Sequence, residues 1–231
     1  VSARLGHPYS KVFEEERELT VMLLVDISNS TLFGTRYATK RALATEIGAV
    51  LSFAAVSNAD KIGVIFYSDC IEGYIPPKKG KQHALYIVRE LLTKTPKGKG
   101  SDLGMALRYF NNITHQKSIA FVLSDFLDTG YEDAIRIAGK KHDVIGIKIY
   151  DQADQLLPNA GMIQVQDAET GTTQWVDSSN AYVRYQYEQE FFKVTSYAAR
   201  IFKKAGCDLL HIKTGEEYIR VLQKFFLFSN R

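Results

Sequence analysis

This sequence predicts an α/β domain: a doubly wound, mainly parallel central sheet with helices on both faces. Three observations carry that prediction. Short apolar runs of strand length alternate with longer stretches of helical periodicity along almost the whole chain. The apolar runs are nearly continuous, as in strands buried on both faces. Two of them lead straight into carboxylates, Asp26 and Asp125, at the strand ends where open α/β sheets bind ligands.

The elements follow in order. Residues 1–18 read as a polar arm that carries the charged run Glu14-Glu-Glu-Arg-Glu18, and residues 19–231 as the domain. Leu19-Thr-Val-Met-Leu-Leu-Val25 has strand length and composition. Leu43, Ile47, Val50, Leu51 and Ala54 recur at helical spacing and predict a core-facing helix over 39–58. Ile62-Gly-Val-Ile-Phe66 is a second buried strand. Cys70-Ile-Glu-Gly-Tyr-Ile75 alternates and meets Pro76-Pro77, which predicts a short antiparallel edge strand ending there. Leu85, Val88 and Leu92 place one face of a helix over 83–93. The loop Thr95-Pro-Lys-Gly-Lys-Gly100 breaks it, and Ser101 or Asp102 caps the next helix, through Ile113.

Ser118 to Ser124 is the next strand, Tyr131 to Lys141 a helix and Val144 to Ile149 a strand. Residues 151–177 interrupt the alternation. There Met162 to Gln166 and Thr172 to Val176 flank Asp167-Ala-Glu-Thr-Gly171 as an inserted β-hairpin. A long helix from Tyr182 to Lys204, a strand from Asp208 to Ile212 and a helix from Glu216 to Phe226 close the domain.

Composition excludes several classes. A chain of 231 residues suits one α/β domain with a full core. A net charge of +3 is too small to imply nucleic-acid binding, and Tyr67, Tyr74 and Tyr86 form no base-stacking motif. No apolar run approaches the ~20 residues of a membrane-spanning helix, and no signal peptide is visible. The chain opens without Met, so a longer parent is expected. The two cysteines, Cys70 and Cys207, fall in expected strands and in no CxxC pair, which reads as free thiols in a reducing cytoplasm. The five histidines lack zinc-ligand spacing; His142, behind two lysines at a helix end, has a packing or dipole role.

The chemistry concentrates in three loops: Asp26-Ile-Ser28-Asn-Ser30, Ser101-Asp102 and Asp125. Any one alone is an ordinary turn or cap; three at consistent strand ends favour a site. Hydroxyls and carboxylates are hard oxygen ligands that suit Mg2+ or Mn2+. Carboxylates acting through water would leave such a cation electron-poor, open to a carboxylate from outside. Asp102 is either an outer support of the site or a helix cap. Lysines cluster at Lys78, Lys79 and Lys81, and again at Lys94, Lys97 and Lys99. The second cluster, with Lys97 and Lys99 nearest Ser101, would steer an acidic partner. A dehalogenase-type phosphatase would need an aspartate where Ser28 stands. Lys97-Gly-Lys-Gly-Ser101 lacks phosphate-loop spacing.

Asp26-Ile-Ser-Asn-Ser30 resembles the DxSxS signature of von Willebrand factor type A domains, with Ser101 at the family's second-loop threonine and Asp125 at its third-loop aspartate. Further motifs resemble the bacterial family called domain of unknown function 58: Phe13 to Thr20, Pro76-Pro-Lys-Lys-Gly80, His83-Ala-Leu85, Ser124-Asp-Phe-Leu-Asp128, Lys141-His-Asp-Val144 and Asp167 to Gly171. The opening Val1-Ser-Ala-Arg4 resembles the middle of a motif of that family, so a further portion is expected upstream. The resemblance implies a metal-ion-dependent adhesion site. Ser28, Ser30 and Ser101 would ligate Mg2+ directly, and Asp26 and Asp125 through water. It also implies a non-enzymatic adaptor that binds an acidic side chain of a protein partner, plausibly a MoxR-type AAA+ ATPase or its client. The competing expectation is a metal-dependent phosphate-ester hydrolase with Asp26 or Asp125 as base or nucleophile.

Overall fold

The computed structural model describes residues 18–35, 37–166 and 171–228. The expected arm, apart from Glu18, and most of the expected hairpin turn lie outside them. Six strands form the main sheet: β1 (Thr20–Asp26), β2 (Lys61–Tyr67), β3 (Ile71–Lys78), β4 (Ile119–Ser124), β5 (Asp143–Tyr150) and β8 (Asp208–Lys213). Their spatial order is β3-β2-β1-β4-β5-β8. All neighbours pair parallel except β2 and β3. The remaining strands, β6 (Met162–Gln166) and β7 (Thr173–Asp177), form a separate antiparallel pair, the inserted hairpin.

Side chains of β1 alternate between two cores, as strand geometry requires. Val21, Leu23 and Val25 face one core with Ile47 and Leu51 of α1 (Lys40–Ser57), Ile87 and Leu91 of α2 (Lys81–Thr93) and Leu222 of α7 (Tyr218–Phe228). Met22 and Leu24 face the other with Leu107 and Phe110 of α3 (Leu103–Ile113), Ile135 of α4 (Glu132–Lys141) and Phe202 of α6 (Ala181–Ala205). Burial on both sides explains why these strands read as unbroken apolar runs. A four-residue helix, α5 (Gln152–Gln155), follows β5 and was not anticipated.

Several expectations need correcting. The core row of α1 is Leu43, Ile47, Leu51 and Ala55, while Val50 and Ala54 are exposed. On α2 the buried row is Ala84, Ile87 and Leu91; Leu85 and Leu92 face solvent. In both helices two apolar stripes compete, and position over the sheet picks one. The edge strand β3 runs through Pro76 and Pro77 to Lys78, because an edge strand needs no ladder donor on its open side. Both cysteines lie just outside strands: Cys70 in the β2–β3 turn, Cys207 before β8. Neither is in a disulfide among the described residues. His142 is the C-cap of α4, buried against the Phe110 ring at 4.5 Å, so its role is packing. Burial, helped by Lys141, lowers its pKa.

Candidate metal centre at the strand ends

From β1 the chain builds outward to β2 and β3, then returns to place β4 on the other side of β1. The topological switch point therefore lies between β1 and β4, where the crevice of an open sheet forms. Asp26 ends β1 and Ser124 ends β4, with Asp125 next.

Asp26 is fully buried and its carboxylate accepts three hydrogen bonds from the protein. Oδ1 accepts the Ser28 N–H at 2.9 Å, and Oδ2 accepts the hydroxyls of Ser101 at 2.8 Å and Ser124 at 2.7 Å. Burial, and then the charge of Asp125, raise its pKa to about 6 against the hydrogen bonds from Ser28 and Ser124. After Ser28 the chain enters a 3-10 turn, Asn29–Leu32, which sets the Ser28 and Ser30 hydroxyl oxygens 3.2 Å apart. The Thr31 hydroxyl closes the turn on the Ser28 carbonyl at 2.7 Å. The second loop is tied in by its backbone: Asn29 N–H donates to the Lys99 carbonyl at 3.1 Å, and Asp102 N–H to the Ser68 carbonyl at 2.9 Å. Glu72 gathers that loop through the N–H groups of Lys97 and Gly98, at 2.7 and 2.8 Å. A side chain at Gly98 would have to displace the Asp69 carboxylate and the Ser68 hydroxyl, so glycine suits the loop's course there.

The sequence-predicted residues are thus placed as follows. Asp26 and Ser101 are hydrogen-bonded, Ser28 and Ser30 are adjacent, and Asp125 is close enough to act electrostatically on Asp26. Asp102 is a helix cap: it accepts Met105 N–H at 2.7 Å at the start of α3. Lys99 lines a cavity that opens beside Ser30, whereas exposed Lys97 is outside that lining.

Sequence reasoning missed four participants. Ser124 supports Asp26 and accepts the Phe126 N–H at 3.0 Å, while Phe126 holds a left-handed φ of 52°. Lys40, the first residue of α1, donates to Asp125 Oδ2 at 2.8 Å and reaches Asp154 at 3.3 Å. Burial works against the Lys40 charge, but Asp125 and then Asp154 outweigh it and raise its pKa. Lys148 donates to the main-chain carbonyl of Asp125; burial pulls its pKa down to about 8. Asp128 accepts the Leu103 N–H at 2.7 Å, and burial carries its pKa up to about 7 with help from Asp26 and Asp125. Two of these carried a signal. Lys148 is the one charge inside an apolar strand, and Lys40 sits at the helix end where the dipole disfavours a cation.

The residues fit a hard divalent cation. Three hydroxyls keep free lone pairs, and Asp125 Oδ1 is buried without a hydrogen-bond partner, an arrangement that demands explanation in a folded protein. Among the described residues no three His, Cys, Asp or Glu groups converge as a metal shell, so a cation here would depend on serine oxygens. The adjoining cavity, about 720 Å³, is bounded by Leu32, Phe33, Leu127, Pro158, Ile163 and Val165, with Lys99 at its rim.

Sheet order, two-sided helical cover, antiparallel edge strand and loop placement define the class: a von Willebrand factor A-like α/β domain. The chain belongs to the family described as "Protein of unknown function DUF58", whose model matches residues 1–195. It is 27% identical over 234 residues to an uncharacterized protein of Mycobacterium tuberculosis, spanning 100% of this chain and 74% of that one. Among solved structures it is similar to BatB from Bacteroides thetaiotaomicron (TM-score 0.56, 14% identity, 90% of this chain and 97% of that one). It is also similar to an aerotolerance-related membrane protein from Bacteroides fragilis (TM-score 0.58, 15% identity, 89% and 97%). At those identities the likeness is one of fold. No helix among the described residues is long and apolar enough to cross a membrane.

Proposed function

We propose that this domain is a non-enzymatic, metal-dependent protein-binding module. The observation that supports it best is the convergence of Asp26, Ser28, Ser30 and Ser101 at the switch point, beside an Asp125 oxygen that lacks a partner. Ser28, Ser30 and Ser101 would hold Mg2+ or Mn2+, with Asp26 and Asp125 supplying charge. The cation supplies one Lewis-acidic position that a partner's carboxylate fills. Ser124 and the Ser28 N–H hold Asp26 in place, so Asp26 orients Ser101 rather than reacting. The apolar cavity walls then contact the residues flanking the captured acid, and Lys99 speeds its approach. A MoxR-type AAA+ ATPase, or its client, is the partner proposed from the family resemblance, and the cytoplasm is the proposed location.

A phosphate-ester hydrolase is the second reading. It draws support from Asp128, whose pKa near 7 would suit a general acid. One oxygen of that carboxylate, however, accepts the Leu103 N–H, the other is buried without a hydrogen-bond partner, and the residue is absent from the cavity lining.

Thermal unfolding of wild type and Asp26→Ala with Mg2+, Mn2+ or chelator tests the proposal. A cation at roughly 100-fold its dissociation constant stabilises by about 2.7 kcal/mol. That shifts the midpoint by some ~5–11 °C in a domain of this size. The shift should vanish in Asp26→Ala. No shift in wild type would sink the metal reading, and turnover of a generic phosphate ester that Asp26→Ala loses would favour the hydrolase.

A further inference from the structure

We infer that Lys40 is a resident counter-ion of the strand-end cluster: its ammonium holds the affinity for a divalent cation down, so that firm retention depends on a partner's carboxylate. This rests on the metal reading above. Lys40 Nζ lies 2.8 Å from Asp125 Oδ2, with the two side chains 3% and 2% exposed. It also contacts Asp154 at 3.3 Å and lies 5.8 Å from the Phe33 ring centroid. A buried ammonium at the first turn of α1 is opposed by the helix dipole and by desolvation. The carboxylates around it, helped by the Phe33 ring, offset that cost.

Charge counting gives the consequence. Asp125 and Asp154 face Lys40 and Lys148, and Asp26 lies within electrostatic reach of Asp125. These three negative and two positive groups leave a formal −1, and Asp128 and Arg41, which both act on Asp26, cancel one another. A divalent cation takes the cluster to +1, and one carboxylate from outside restores neutrality. Without Lys40 the cluster would stand at −2, and the cation alone would balance it. Lys40 lines the same cavity that borders Ser30, so its charge acts on the space through which an acidic side chain would arrive.

Calorimetric titration of the folded chain with Mg2+ alone, for wild type and Lys40→Met, tests the inference. Removing one positive charge beside a divalent site should tighten binding about tenfold or more. A merely structural ion pair would lower stability equally in Mg2+ and in chelator and leave the dissociation constant unchanged. Equal or weaker binding by Lys40→Met, with wild type still binding, overturns the inference and leaves the metal reading standing. Absence of binding in both overturns both. Should Lys40→Met not fold, partly exposed Asp154 offers a second arm. Asp154→Asn brings the formal charge to 0 and should weaken Mg2+ binding about tenfold. Unchanged or tighter Mg2+ binding by Asp154→Asn also overturns the inference.

Discussion

The Ser124 hydroxyl donates to Asp26 Oδ2 at 2.7 Å across the two strands that flank the switch point, β4 and β1. The same oxygen accepts the Phe126 N–H at 3.0 Å, so one serine fixes both the first-loop carboxylate and the turn that carries Asp125. Ser124→Ala leaves a buried acceptor short of a donor and a buried N–H unpaired. Each such loss costs about 1–3 kcal/mol. Urea unfolding should show a midpoint drop of that order; a change under ~0.5 kcal/mol would mean that water or a neighbour replaces the hydroxyl.

The Ser101 hydroxyl donates to Asp26 Oδ2 at 2.8 Å. Ser101→Thr keeps the hydroxyl and restricts its rotamers, so the Mg2+-induced melting shift should be preserved or enlarged. Ser101→Ala should abolish it. Equal shifts in all three proteins would remove Ser101 from the metal shell.

The pH dependence follows from Asp26 and Asp128, whose pKa values rise from 3.8 to about 6 and about 7, chiefly through burial. A raised acid pKa means that the folded state binds more protons than the unfolded chain between pH ~4 and ~7. The favourable contribution of these two groups is complete at acid pH and is lost as pH rises through their folded values. Asp128→Asn removes one of them. The urea midpoint of that variant in chelator, from pH 4 to 8, should therefore decline less with rising pH than that of wild type. Superimposable slopes would refute the assignment. The proposed cation would need Asp26 ionised, so the Mg2+-induced shift should grow between about pH 5 and 7.

Leu91 and Leu92 are neighbours on α2 with opposite fates, 3% and 70% exposed. Leu91→Ala should cost about 2–5 kcal/mol through lost burial and a residual cavity. Leu92→Ala should stay within ~0.5 kcal/mol. Comparable losses would place the buried face of α2 where periodicity alone put it, on Leu85 and Leu92.

Much of the fold was legible because its signals are local. Runs such as Val21 to Val25 are apolar throughout because each strand is covered on both faces, and the β–α alternation then forces a parallel sheet. The first loop was legible too, since Asp26, Ser28 and Ser30 lie within one turn of chain. Where two apolar stripes shared a helix, as on α1 and α2, periodicity could not choose between them.

The sequence by itself determined the order and type of nearly all elements, the strand-end position of Asp26 and Asp125, and the cap before α3. Only the tertiary structure decided which helix faces are buried, that Ser101 is drawn to Asp26 and so leaves the cap to Asp102, and that Lys40, Lys148 and Ser124 meet the two aspartates. The physical reason is range. Secondary structure and capping are set by residues a few positions apart, whereas the Lys40–Asp125 pair closes across 85 positions and the Ser124–Asp26 bond across 98. Such contacts exist only once strand order has brought β4 beside β1, and burial then makes each charge depend on the partner that the fold supplies.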